Sequence, residues 1–155
     1  MPMNESLQAL IDKSFLFKSL DEKGRKLLFE SGEEITIYAG TEIITEGDNS
    51  DASFYFIKKG SVTVKTGKTG KEVVLASLGP GAIFGEMAFL SGRPRTASVV
   101  SDNDCDVIVF SKEKVAKIIK NYPTVVQLMK KIMASRSEAT TKKILDGIGH
   151  DEVLK

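Results

Sequence analysis

Apolar positions along this 155-residue chain change their spacing twice. Over 4–31 they recur at helical intervals. Asn4 can cap a first helix, with Leu7, Leu10 and Ile11 on one face. Asp21 can cap a second, with Leu27 and Leu28 inward and Gly32 as its stop; Phe15 and Phe17 dock the pair on the downstream part of the chain. Over 33–110 the period falls to two, as in Phe54 and Phe56 or Val62 and Val64. Gly60-Ser61 and Gly67-Lys68-Thr69-Gly70 supply turns, the second a polar hairpin tip running to Lys71. Short strands at a spacing of roughly ten residues predict a sandwich or barrel. From Ser111 the helical period returns with Val115, Ile118 and Ile119. Asn121-Tyr122 breaks it, and Pro123 suits the first turn of a last helix with Val125, Leu128, Met129, Ile132 and Met133 on one face. A polar stretch over 135–143 comes next, before Ile144, Leu145 and Ile148 resume the pattern. The expectation is one domain over 1–155: N-terminal helices in 1–32, a β body in 33–110 and C-terminal helices in 111–155.

Within the β body, 79–97 carries the candidate chemistry. Gly79, Gly81, Gly85 and Gly92 punctuate it, and Gly85-Glu86-Met87-Ala88-Phe89-Leu90 reads as one short helical turn. Glycine at a helix start leaves amides bare for an anion. Arg95, in a Pro-Arg-Thr-Ala turn, offers a planar, permanently charged fork. Helix start and arginine together can hold one phosphate. Glu86 would repel that phosphate, so it serves another group; sugar hydroxyls suit it, because an ionised carboxylate only accepts hydrogen bonds. Phosphate, sugar hydroxyl and an apolar surround describe a nucleotide. Singly, each residue has a plainer reading: turn glycines, a capping acid, a surface ion pair. The glycines miss the dinucleotide fingerprint, since the third comes one residue late.

This segment resembles the phosphate-binding cassette of the cyclic nucleotide-binding domain family, which includes catabolite activator protein, regulatory subunits of cyclic-AMP-dependent kinase and cyclic-nucleotide-gated channels. Upstream, 40–48 and 54–62 look like the family's opening strands, and several motifs in order are stronger than one glycine loop. The resemblance implies an α+β fold: a β-roll of jelly-roll type (a double-stranded β-helix) flanked by N-terminal and C-terminal helices. It implies that Gly85, with the amides of Glu86, Met87 and Ala88, faces the phosphate, that Glu86 accepts from the ribose 2′-hydroxyl, and that Arg95 pairs with the exocyclic phosphate. Thr96 and Ala97 stand where the family places hydroxyl and backbone contacts. Ile83 and Phe84 are expected to wall the base or sugar, with Val74 and Leu75 as weaker candidates. Thr96 matches cyclic GMP receptors, yet bacterial cyclic AMP receptors carry serine or threonine there too. Thr140 and Thr141 align with the helix that meets adenine in the activator. Cyclic AMP is therefore favoured over cyclic GMP, with the base left open.

Composition narrows the classes. A net charge of +1 gives no bulk case for nucleic acid or anionic membrane. No apolar run approaches the ~20 residues of a membrane span, and the first residues lack a signal peptide's basic start and apolar core. Cys105 is the one cysteine, which excludes an internal disulfide and points to a reducing cytoplasm; a buried structural thiol is its expected role. One histidine, His150, is too few for a metal-dependent enzyme of cupin type. With no nucleophile elbow or Walker loop, an enzyme is not expected. Lys130, Lys131, Lys142 and Lys143 read as a solvated helix face. With no room for a recognition helix after the last helix, operator DNA binding by this chain alone is not expected. No cofactor is expected beyond the ligand. The expected function is a cyclic nucleotide sensor that acts on an effector protein in trans, with the apolar helix face as a homodimer seam. The alternative is a structural or dimerisation module of the same fold that does not bind nucleotide.

Overall fold

The computed structural model describes residues 20–67 and 70–124, with positions 9, 17, 127, 130, 131 and 134. Helix α1 (Glu22–Glu30) starts where expected, because the Asp21 side chain accepts from the Gly24 amide at 2.6 Å. It buries Leu28 and Phe29, while Leu27 is half-buried. It ends just before Gly32, as expected, with Ser31 as its last cap, but without a left-handed turn. Gly32 is not among the glycines with positive φ. Its hydrogen is needed for packing instead: a Cβ there would collide with Ile108 and sit 2.9 Å from Phe110 Cε1.

The strands are β1 (Glu33–Ile37), β2 (Glu42–Ile44), β3 (Phe54–Lys59), β4 (Val62–Thr66), β5 (Val73–Leu78), β6 (Ile83–Phe84), β7 (Ser98–Ser101) and β8 (Cys105–Phe110). They form two four-stranded sheets, β1-β8-β3-β6 and β2-β7-β4-β5, with every paired neighbour antiparallel. Two sheets face to face with helices against one of them make this a β-roll of jelly-roll type. Helix α2 (Glu86–Ser91) comes after β6, between left-handed Gly85 and Gly92. Helix α3 (Lys112–Ile119) comes after β8, capped by Ser111, which accepts from the Lys114 amide at 3.3 Å.

Two apolar clusters hold the roll together. Ile37, Ile44, Tyr55, Ile57, Val62, Phe84, Val99, Cys105 and Val107 fill the space between the sheets. Phe17, Leu28, Phe29, Phe54, Phe56, Phe110 and Val115 pack helices against the other face of the first sheet. Phe17 sits 4.4 Å from Phe29 and 5.0 Å from Phe56, ring centre to ring centre. Each such buried ring is worth about 1.5–3 kcal/mol over leaving it exposed. Because both faces of β3 are covered, Phe54, Tyr55, Phe56 and Ile57 are all buried. The period-two pattern therefore separates two cores there, not core from solvent.

Beyond α3 the backbone turns at Asn121, and the Gln127 amide donates to the Pro123 carbonyl at 3.3 Å. Thr124, Gln127, Lys130, Lys131 and Ala134 are helical and exposed, the solvated face expected of those lysines. Phe15, the first helix from Asn4 apart from Ala9, the apolar face of the last helix, Thr140, Thr141, Lys142, Lys143 and His150 lie outside the described residues. Among the described residues no helix is long and apolar enough to cross a membrane.

Candidate functional site

The roll holds a partly open cleft lined by Ile44, Val64, Ala76, Leu78, Phe84, Gly85, Glu86, Ala88, Arg95, Thr96, Ala97 and Val99. Small-molecule sites are commonly mostly apolar, with a few convergent polar groups. Here those groups come from α2 and the loop before β7.

Arg95 is the anchor. It is 5% exposed although charged. Its Nη1 donates to the Gly85 carbonyl at 2.9 Å and its Nη2 to the Ser53 carbonyl at 2.8 Å. Asp51 Oδ2 lies 3.8 Å from Nη2. The main chain is clamped as well: the Arg95 amide donates to the Asp48 carbonyl, and the Gly47 amide to the Arg95 carbonyl, both at 2.8 Å. A buried cation is costly unless paired and hydrogen-bonded, and both conditions are met. Gly85 permits the approach. Its φ of +87° is left-handed, and a Cβ there would lie 2.9 Å from the Ser53 carbonyl oxygen and 3.1 Å from Arg95 Nη1.

The loop before β3 supplies the counter-charge. Asp51 accepts from the Ser53 amide at 3.0 Å, the Ser53 hydroxyl at 2.8 Å and the Tyr55 hydroxyl at 3.4 Å. Partial burial pushes its carboxyl up, but the Ser53 hydrogen bonds, the Arg95 charge and the Tyr55 hydroxyl together bring it below the ordinary value. The Ser50 amide and hydroxyl lower Asp48, with the Arg95 charge a lesser cause. Tyr55 moves the other way: burial and then the Asp51 charge push its phenol up to about 12.

Glu86, at the first position of α2, is 1% exposed and lines the same cleft. Carboxylate and guanidinium thus share one mostly apolar cavity, able to accept from a hydroxyl and to hold an anion. Phe84, Gly85, Ala88, Thr96 and Ala97 also line it. Met87 lies within α2, its side chain outside what the structure describes. Ile83 does not line the cleft. It belongs to the helix-facing core, because neighbouring residues of a strand point to opposite faces and Phe84 takes the inner one. Val74 and Leu75 are not lining residues either. The register between β4 and β5 slips between Val64 and Lys65, so Val64 faces Ala76 while Lys65 faces Val74. That bulge turns Val74 outward at 53% exposure and gives the wall to Ala76 and Leu78.

Sequence reasoning missed the apolar wall of Ile44, Val64, Ala76, Leu78 and Val99, which only pairing of β2, β7, β4 and β5 assembles. It also missed Asp51 and Ser53; polar residues crowded after Gly47 and just before an apolar strand were the available signal. Cys105 is fully buried within the inter-sheet core, and burial raises its thiol. Among the described residues no group of three or more histidine, cysteine or acidic side chains could hold a metal ion.

Comparison with known proteins places this geometry. Residues 34–122 match the family model described as cyclic nucleotide-binding domain. The chain is 37% identical over 112 residues to a cAMP-dependent protein kinase regulatory subunit of Yarrowia lipolytica, covering 72% of this chain and 28% of that protein. It is 31% identical over 144 residues to the mouse cyclic nucleotide-gated channel beta-3, covering 88% of this chain and 20% of that one. The chain thus spans less than a third of either relative. Among solved structures, the catabolite activator protein of Thermus thermophilus is similar with a TM-score of 0.75 at 27% identity, over 84% of this chain and 62% of that one. The regulatory domain of Toxoplasma gondii PKA, crystallised with cAMP, gives 0.68 at 33% identity, over 79% of this chain and 48% of that one. The sandwich, its flanking helices and the family match together make this chain a member of the cyclic nucleotide-binding domain family.

Proposed function

We propose that the chain binds one 3′,5′-cyclic mononucleotide, cyclic AMP in preference to cyclic GMP, and acts as a ligand-switched regulatory module. The observation that carries this reading is Arg95, a buried guanidinium held by the Gly85 and Ser53 carbonyls in a cleft shared with Glu86. Arg95 takes the exocyclic phosphate and Glu86 the ribose 2′-hydroxyl. The base lies against the apolar wall of Val64, Ala76, Leu78 and Val99. Thr96 lines the cleft and is the contact for guanine; Thr140 and Thr141 are the contacts for adenine. The kinase and activator relatives support a binding role, with no catalytic step, and the cAMP in the Toxoplasma structure supports the order of bases. The C-terminal helix carries the switch, closing on the base and acting on an effector protein in trans or on its copy in a homodimer. The cytoplasm is the proposed compartment.

Calorimetric titration with cyclic AMP and cyclic GMP tests the reading. Saturable binding at one site per chain is expected. No heat from either ligand favours a structural module, and a preference for cyclic GMP of about tenfold or more, some 1.4 kcal/mol, overturns the order of bases. Amide hydrogen exchange tests the switch. Protection should rise with cyclic AMP in the cassette and over 124–145; change in the cassette alone leaves the helix a passive strut.

A further inference from the structure

Tyr55 stands behind the cleft and is not among its lining residues. Its ring lies flat on Phe84, with centroids 4.8 Å apart and planes 8° from parallel, and Phe84 forms part of the wall. Its hydroxyl donates to Asp51 Oδ2 at 3.4 Å, the oxygen that faces Arg95 Nη2 at 3.8 Å. Asp51 is fixed from its other side by Ser53, whose amide and hydroxyl donate to Oδ1 and whose carbonyl accepts from Arg95. One side chain therefore touches both halves of the cleft, the apolar wall through its ring and the cation through Asp51. Phenylalanine would fill the same space without carrying a polar atom into a core position that is 7% exposed. The hydroxyl is thus there for what it holds.

We propose that Tyr55 is a positioning residue for Arg95, setting through Asp51 the place of the guanidinium relative to the Phe84 wall. The inference rests on reading Arg95 as the phosphate's partner. Its role is to keep the spacing between an anion on Arg95 and an apolar group on the wall fixed before ligand arrives, which lowers the ordering cost of binding.

Tyr55→Phe keeps the ring and removes only the hydroxyl, so it separates positioning from packing. The wild-type 155-residue chain, Tyr55→Phe, Asp51→Asn, the double variant and Arg95→Leu are titrated with cyclic AMP, and thermal midpoints are read alongside. Tyr55→Phe and Asp51→Asn should each weaken binding about threefold to tenfold, and the double variant no more than the weaker single, since both cut one chain of contacts. The chain has no tryptophan, so its intrinsic fluorescence spectrum reports tyrosine. Cyclic AMP should change that spectrum in wild type, and the change should shrink in Asp51→Asn. Wild-type affinity in Tyr55→Phe while Arg95→Leu has lost binding overturns the inference and leaves the functional reading standing. Losses that multiply in the double variant overturn it too. Failure of the wild type to bind overturns the functional reading and this inference with it.

Discussion

Arg95 and Gly85 hold each other in place. The arginine's Nη1 donates to the glycine's carbonyl at 2.9 Å, and the glycine, at φ +87°, leaves only 3.1 Å between that nitrogen and any Cβ it might carry. A left-handed backbone costs an L-residue about 1–2 kcal/mol before any contact is counted. Gly85→Ala should therefore destabilise the fold by about 1–3 kcal/mol in denaturant unfolding, strain and displacement together. Cyclic AMP affinity should fall with it, because Arg95 must shift. An alanine variant with wild-type stability would show that the loop relaxes freely.

Removing the cation is the sharper test of the anion site. A hydrogen-bonded buried charge that loses its partner typically costs about 2–5 kcal/mol. Arg95→Leu should lower cyclic AMP affinity by roughly 30-fold or more, at about 1.4 kcal/mol per decade. Arg95→Lys should rescue little, because an ammonium lacks the planar fork that spans the Gly85 and Ser53 carbonyls. Unchanged titration curves for Arg95→Leu would remove it from the site.

Glu86 is tested through the ligand as well as the protein. A hydrogen bond to a charged group is worth about 1.5–3 kcal/mol. Glu86→Ala should weaken cyclic AMP by about tenfold to a hundredfold. The 2′-deoxy analogue, which already lacks the hydroxyl, should bind variant and wild type alike. Equal losses for both ligands would give Glu86 a different partner.

Asp51, which faces Arg95, and nearby Asp48 bear on the acid limit. Asp48 and Asp51 both sit below their ordinary value in the folded chain. A lowered folded value means that folding favours the charged form. Its contribution is present above the unfolded value of about 3.9 and is lost as pH falls through the folded one. Asp48 is exposed and Asp51 half-exposed, so solvent keeps the stability effect small. Cyclic AMP affinity should stay flat from neutral pH to about 5 and fall below about 4, and Asp51→Asn should blunt that fall. Titration against pH reads this directly, and a midpoint near neutrality would assign the effect to another group.

Local chemistry was legible in the sequence wherever neighbours a few residues apart decide the outcome. Asp21 and Ser111 cap helices because each reaches an amide three residues on. Gly85 and Gly92 bound a six-residue helix because each takes a left-handed turn that other residues resist. The motif over 79–97 likewise pointed to residues that share one cleft, since β6, α2 and the loop after it are consecutive in the chain.

Only the tertiary structure could decide the rest, because strand register and layer packing join residues far apart in sequence. Helices covering one face of the first sheet made β3 buried on both sides, and so sent Ile83 to the core while Phe84 faces the cleft. A slip of register between β4 and β5 exposed Val74 and turned Ala76 inward. Gly32 stands just past the helix end as its position suggests, but it is β8 packing over it that requires its small size. The partners that hold Arg95 include Ser53, 42 residues earlier, and no local pattern names such a pair. Capping and turn energies act within one turn of chain. Register and burial are set by the whole sheet at once, where moving a strand by one residue reverses the direction of every side chain it carries.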